Sequence, residues 1–471
     1  MTRPLPQQSP EDEGDRAMTQ EERSVWRMSR RDVLKAGGLV AVGSAGLAIA
    51  PRVLKGLVVP GDATAADPAP NLKLAGTDGW IHLPPDPPIG FFHPDNLAPG
   101  PDDGQPDGLT TYIFGFRNVT GLDDTQVTKQ KNHAQHSAPL FWAKEGVEFR
   151  ANVRNIGLAL RPDLFDAHTL HWHGFKNVIA YFDGEPTGSV SIPPGQNFTY
   201  VYKSHDPGTY MWHCHVEDVE HVQMGMTGLV FVRPAQDGNT SLYPSGKYAY
   251  NCGDGSTGFD REYAMFLSEV WAEAHWADAH IQLPEWSDYR ADFSMLNGRV
   301  YPDTLVPNAP TTATPGAPFI PFDHDADGDL IAPTGRPDLK YQPMSSLVTC
   351  KAGDRVLLRF ANLGFKEAAM NLVGIRMRIV GRDATLLRGR DGANASYETN
   401  TITIGAGESF DAIFTAPAHS GGSGPDTYVL RNRASTRADG GTSEGQRTEI
   451  RVYPSGSGAP AAQAFPNDQG M

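Results

Sequence analysis

Short runs of alternating apolar and polar residues recur along this chain from about residue 110 onward, each closed by Gly, Pro, Asn or Asp. EFRANVRN (148–155), NFTYVYK (197–203) and GLVFVRP (228–234) place every second side chain on one face, the period of a half-buried strand. A second set follows: YAMFLSEVW (263–271), DRVLLRFANLG (354–364), RMRIVGRDA (376–384), TNTITIGAGESFDAIFTA (399–416) and DTYVLRNRA (426–434). Residues 236–260 are turn-rich and predict a seam between the two sets. A long insert at about 272–340 interrupts the second set. At its start WAEAHWADAH (271–280) has aromatics and histidines at helical spacing, which predicts a packed helix. Strands spaced in this way predict an all-β protein of two Greek-key β-sandwich domains, 66–240 and 241–455. Composition predicts flexible segments at 418–425 and in a tail at 456–471.

Length and composition agree. A chain of 471 residues exceeds one core, since cores stop growing near ~250–300 residues. Gly (50) and Pro (38) make up roughly 19% of it, against a usual ~12%, which argues for many turns. The net charge of −15 excludes nucleic acid as the expected partner, because phosphates need a basic surface. Three cysteines exclude a disulfide-built scaffold.

Residues 1–65 have a different character. Ser29-Arg30-Arg31-Asp32-Val33-Leu34-Lys35 precedes an uncharged run from Ala36 to Pro51, and Ala63-Thr64-Ala65 offers a small-residue cleavage site. The segment resembles a twin-arginine export signal, and an uncleaved membrane anchor is the alternative. The expected location is periplasmic, cell-surface or extracellular. That route carries folded proteins, which suits a chain that loads a cofactor before export.

Candidate chemistry is concentrated in two short stretches: His168-Thr-Leu-His171-Trp-His173, and Trp212-His213-Cys214-His215 with His221, Met224 and Met226 beyond it. In a strand His171 and His173 share a face, as do His213 and His215, and Cys214 points the other way. One strand can thus serve two metal sites. A thiolate, two imidazoles and a thioether suit copper better than zinc, which makes His168, Cys214, His221 and axial Met226 a candidate blue-copper set, with Met224 as the rival axial ligand. His171, His173, His213 and His215 converge as a second set.

HTLHWHGF (168–175), DGEP (183–186), IPPG (192–195), FTY (198–200), GTYMWHCH (208–215) and GMTGLVFV (225–232) together resemble a copper-binding domain of the laccase-type multicopper oxidases. The resemblance is strong over 133–234 and weaker over most of 260–455. It implies two cupredoxin-like domains. It implies a type 1 copper at His168, Cys214, His221 and Met226, and type 2/type 3 cluster ligands at His171, His173, His213 and His215. Asp183 resembles an acid that helps deliver protons to the cluster, and His221 the ligand through which electrons arrive. The implied activity is one-electron oxidation of a phenolic, amine or metal-ion reductant coupled to reduction of O2 to water. A non-catalytic blue-copper cupredoxin, for electron transfer or copper handling, is the alternative.

Two departures from the family pattern matter. Five residues, Val216 to Glu220, separate the His-Cys-His from His221, where the family has three. This lengthened loop carries Glu217, Asp218 and Glu220, which would favour a cationic reductant such as Mn(II), Fe(II), Cu(I) or an aromatic amine; a solvated acidic turn is the competing reading. The second departure is in the second half, which has Asn371 and Val373, and Arg431-Asn432-Arg433, where a copper domain would write its histidines. FSMLNGRVYPDT (293–304) supports reading that half as copper-free. One chain then supplies half a cluster. Two copies could face each other across a twofold in a homo-oligomer. Alternatively, His133, His136, His275 or His280 could complete the site, or no cluster forms.

Two weaker features remain. Asp323, Asp325, Asp327 and Asp329 alternate around Gly328 like the start of a calcium loop, but Thr334 stands where Glu would close it; an acidic surface loop is the favoured reading. Cys252 and Cys350 could pair in an exported protein.

Overall fold

The structure, a computed structural model, describes residues 68–85, 109–176, 178–434 and 445–471. The chain divides into two compact units, Met1–Pro68 and Ala69–Met471, and every strand named below belongs to the second. The export-signal reading of 1–65 lies outside the described residues.

The first sandwich is built from β1 (Leu72–Ile81), β2 (Thr111–Asn118), β3 (Phe141–Lys144), β4 (Glu148–Asn155), β5 (His171–His173), β6 (Asn197–Lys203), β7 (Gly208–His213) and β8 (Thr227–Arg233). One sheet has the order β2-β1-β4-β6 and the other β3-β8-β7-β5. In β4 burial alternates residue by residue, with Phe149, Ala151, Val153 and Asn155 inward, as the apolar–polar pattern requires. Between the sheets Trp80, Phe114, Phe116, Phe141, Trp172 and Trp212 form the core. A short helix, α1 (Asp124–Lys129), begins at Asp123, whose side chain accepts the Gln126 amide in a capping box.

The second sandwich runs from β9 (Arg261–Val270) to β20 (Arg447–Tyr453). Its strands are β10 (Phe293–Leu296), β11 (Val348–Lys351), β12 (Arg355–Asn362), β13 (Ala368–Leu372), β14 (Met377–Arg382), β15 (Thr385–Leu386), β16 (Tyr397–Thr399), β17 (Thr401–Ile404), β18 (Ser409–Thr415) and β19 (Asp426–Asn432). The sheets are β10-β9-β12-β18-β14-β15, with β16 on β14, and β11-β20-β19-β13-β17. Most chain connections cross between sheets, with hairpin-like neighbours such as β1-β2, β7-β8, β9-β10 and β19-β20 kept in one sheet, so the expected all-β architecture of two cupredoxin-like domains is what forms.

The two sandwiches are joined by an apolar seam and a buried ionic clamp. Met211, Leu229 and Phe231 of the first pack against Ala264, Phe266 and Ala361 of the second. Arg359 is fully buried there; its Nε donates to Glu262 Oε1 at 2.5 Å, and its Nη1 to Asp411 Oδ1 and Thr209 Oγ1, both at 3.1 Å. Arg233 reaches Glu262 from the first sandwich at 2.6 Å, and Tyr250 donates to Asp411 at 2.5 Å.

One expectation needs correction, and one open alternative is decided. The tail at 456–471 is packed. Phe465 joins the seam, and buried Asn467 exchanges hydrogen bonds with the Ala264 backbone and donates to the Ser345 carbonyl. Its polar composition suggested flexibility because the partners lie between 122 and 203 residues away. Cys252 and Cys350 do not pair; both are free, Cys252 against Thr257 and Cys350 buried in β11.

The clamp generates a prediction. Arg359→Met leaves Glu262 and Asp411 short of a buried partner, and should cost about 3–5 kcal/mol in a denaturant titration. A loss within measurement error would show that the clamp is not what joins the sandwiches.

Candidate metal centre

Antiparallel pairing of β5 and β7 sets His171 opposite His213 and Trp172 opposite Trp212. β7 ends at His213, and the next residue turns its side chain inward. Cys214 Sγ lies 3.3 Å from His221 Nδ1 and 4.0 Å from His168 Nδ1, and accepts the Thr169 amide at 3.4 Å. Its own amide donates to the Met226 carbonyl at 3.1 Å. His168, Cys214, His221, Met224 and Met226 are all buried without exposure. A paired bridge to Ile192 holds His168, and Gly76 clears its ring. A Cβ at Gly76 would stand 2.6 Å from His168 Cδ2.

The lengthened segment after His215 is a helix rather than a loop. α2 (Asp218–Met224) starts from Glu217 in a left-handed conformation and stops at Gly225. It turns His221 and Met224 inward and leaves Asp218 and Val219 outside. Glu220 is withdrawn from the acidic face, half-buried in a hydrogen bond with Asp278. No part of the His221 ring is exposed, so a reductant cannot touch it directly. Asp166 Oδ2 stands 3.5 Å from His221 Nε2, and Phe114 meets the ring edge-on. Sequence reasoning missed Asp166, because only the fold brings it to the far side of this imidazole.

Burial disfavours a charge on either Cys214 or His221. The attraction between thiolate and imidazolium, with His168 beside the sulfur and Asp166 at the far nitrogen, outweighs it. Cys214 is held well below the ordinary thiol value and His221 is raised to about 10. Two imidazole nitrogens and a sulfur already thiolate-like, all within 4.8 Å of one another, are a donor set that fits copper.

His171, His173, His213 and His215 gather on the opposite face, with ring centroids of contacting pairs 4.9–6.2 Å apart. His213 Nδ1 donates to the Cys214 carbonyl at 2.8 Å and His171 Nδ1 to the Asp183 carbonyl at 2.7 Å. Both rings therefore present Nε2 lone pairs, the tautomer a metal needs. Burial holds His171 and His173 below the ordinary imidazole value and brings His213 to about 3, so all three stay neutral. The Asp183 carboxylate is 3.5 Å from His171 Nδ1. His173 is exposed, so this face opens at the surface beside Gly407 of the second sandwich.

The second sandwich repeats this pairing without its ligands. Asn371 of β13 lies opposite Arg431 of β19, as His171 lies opposite His213. Nor do the off-motif histidines complete the set. His133 stacks on Tyr341 beside Asp329, and His280 stacks on Trp276. His275 donates to the Tyr112 carbonyl from helix α3 (Ala272–Ala279), while His136 packs against Gly225 at the end of α2. Both lie on the Cys214 side and neither reaches the four-histidine face. The calcium reading also falls. Asp325 accepts the amides of Asp327 and Asp329, Asp323 is taken by Thr312, and Asp327 and Asp329 pair with Lys129 and Lys340.

Residues 126–237 and 309–455 each match a family model described as Multicopper oxidase, together more than half of the chain. Similar curated proteins include Laccase-15 of Oryza sativa subsp. japonica, 24% identical over 255 residues (53% of this chain, 33% of that one). Multicopper oxidase MmcO of Mycobacterium tuberculosis is 23% identical over 294 residues, 59% of this chain and 46% of its own length. Laccase-1 of Cryptococcus neoformans var. neoformans is 46% identical over 121 residues, 22% of this chain and 19% of that one. The chain thus spans less than half the length of each of these relatives. Among solved structures, Multicopper Oxidase mgLAC shares the fold, with a TM-score of 0.51 and 20% identity over 81% of this chain and 85% of that one.

Two outcomes are expected. Gly76→Ala should push His168 off the sulfur and weaken copper binding about tenfold or more in a competitive chelator titration; unchanged affinity would mean the ring has room to move. The other concerns Asp278. Burial and then the Glu220 carboxylate raise its acid to about 8, although Arg161 Nη1 donates to it at 2.9 Å. The folded state then keeps a proton that the unfolded chain binds only below about pH 4. Stability should fall as pH rises from about 4 to about 8, and Asp278→Asn should flatten that slope in a pH series of urea midpoints.

Proposed function

This chain belongs to the multicopper oxidase family, and on that premise we propose that it is a copper-dependent oxidase. It would take single electrons from a reductant and deliver four of them, with four protons, to each O2, forming two waters. The observation that carries this reading is the single turn of chain at Cys214, which places a thiolate between two imidazoles on one face and His213 and His215 on the other.

Bound at His168, Cys214, His221 and Met226 as a type 1 site, copper supplies a one-electron shuttle. The protein residues supply the rest. Complete burial of the ligands excludes water and keeps the change in solvation on electron transfer small. Cys214 and His213 are joined through the backbone and by the His213 Nδ1–H bond to the Cys214 carbonyl, a short covalent and hydrogen-bonded route between the two faces. Asp183 would hand protons from solvent toward the four-histidine face; its contact with His171 and its partial exposure support that role. We further propose that these four histidines are half of a type 2/type 3 cluster, completed by the same four of a second copy. Export by the twin-arginine route, on Arg30-Arg31, is part of the same proposal.

A second reading has its own support. Asn371 and Arg431 occupy the second sandwich where cluster ligands would be needed, which favours a blue-copper protein that carries electrons without reducing O2.

Copper content, oligomeric state and O2 uptake of the copper-loaded protein separate the two. An oligomer with more copper than one ion per chain, consuming O2 with a phenol or Mn(II), supports the oxidase; one blue copper per chain without O2 uptake supports the carrier. Full oxidase activity in a monomer would overturn the shared cluster. In either case Cys214→Ser should abolish the intense visible band, and a band that persists would show the thiolate to be wrongly assigned.

A further inference from the structure

Two segments of chain meet at the outer edge of His221, residues 161–166 bringing Asp166 to its Nε2 and α2 carrying the ring itself, and the end of α3, with Asp278, joins them at Arg161 and Glu220. They are tied to one another. Arg161 Nη1 donates to the Asp278 carboxylate at 2.9 Å and its carbonyl at 3.1 Å, and Glu220 is hydrogen-bonded to Asp278.

Each tied segment presents a large apolar side chain to solvent. Phe165 is 84% exposed, Val219 48% and Ile281 64%, with Leu283 at 84% just beyond. Exposed apolar side chains scattered singly need no explanation, but several on one patch mark an interaction site. The charge among them has one sign. Glu217 and Asp218 are exposed and Asp163 is 43% exposed. Within 161–166, 217–224 and 278–283 the one Lys or Arg is Arg161, which is buried and turned to Asp163 and Asp278.

A reductant cannot touch His221, whose ring has no exposed surface, so electrons must cross the layer of protein in which Asp166 meets its Nε2. Apolar side chains standing out from a surface and ringed by acids fit a flat or concave partner with a basic rim and an apolar centre. Such a partner buries the whole group at once, and opposite charge orients it during approach.

We propose that this rim docks a folded, basic one-electron carrier protein, which passes its electron toward His221 through the layer that holds Asp166. One electron leaves the reduced carrier and one copper is reduced; no bond forms or breaks. The proposal rests on the reading of His168, Cys214 and His221 as a copper site, and replaces the small cation expected from the acidic sequence with a protein.

The test is anaerobic stopped-flow bleaching of the blue band in the copper-loaded protein. Reduced mitochondrial cytochrome c is the basic protein probe and hydroquinone the small reductant. With cytochrome c the second-order rate should fall about tenfold from low to physiological salt, and about tenfold again in the surface variant Ile281→Ser/Leu283→Ser. The hydroquinone rate should be the same in both proteins. The proposal is overturned if cytochrome c fails to bleach the band, if its rate ignores both salt and the variant, or if the hydroquinone rate falls in parallel, which would assign the rim to a small molecule. A copper-loaded protein with no blue band overturns the copper reading beneath it.

Discussion

Side chains alternate across an extended chain, and the metal-binding end of this molecule depends on one place where that alternation separates sulfur from nitrogen. Pairing of β5 with β7 fixes the faces of His171 and His213. One residue later Cys214 must point the other way, toward His168 and His221, and His215 returns to the side of His213. Because the residues are consecutive, the distance between the two sets is set by covalent geometry and cannot drift with packing. The bond from His213 Nδ1 to the Cys214 carbonyl then fixes the tautomer on one face and ties it to the thiolate on the other.

Other features serve that arrangement. Gly76 makes room for His168. α2 accommodates the longer spacing to His221 by coiling it into a helix, so that a change in chain length moves charge on the surface and leaves the ligand in place. The cost is that His221 is covered. The chain around it, Asp166 at its outer nitrogen included, then stands between the ring and any electron donor. At the other end of the sandwich, Arg359 and its carboxylates hold the second domain in place.

The two sandwiches illustrate how far backbone and chemistry can separate. β13 and β19 pair in the same register sense as β5 and β7, yet carry Asn371 and Arg431 in place of imidazoles. The pleat and the hydrogen-bonded ladder need only alternation and size, which Asn371 and Arg431 satisfy on two interior strands of their sheet. Metal binding needs particular lone pairs, so it can be absent while the sheet remains.

Alternation of apolar residues, turn residues at strand ends and the His-x-His and His-Cys-His spacings were enough, from the sequence alone, to predict two all-β domains and to sort the candidate ligands by face. All of these are local, because neighbouring residues share a pleat whatever the rest of the chain does. Other features were decided only by tertiary structure. Asp166 against His221, the burial of that ring, the packing of Asn467 under residues two hundred positions earlier and the diversion of His136 and His275 away from the four-histidine face all depend on contacts between distant segments. No period or spacing encodes such contacts, since they follow from how complete sheets and helices pack once they exist.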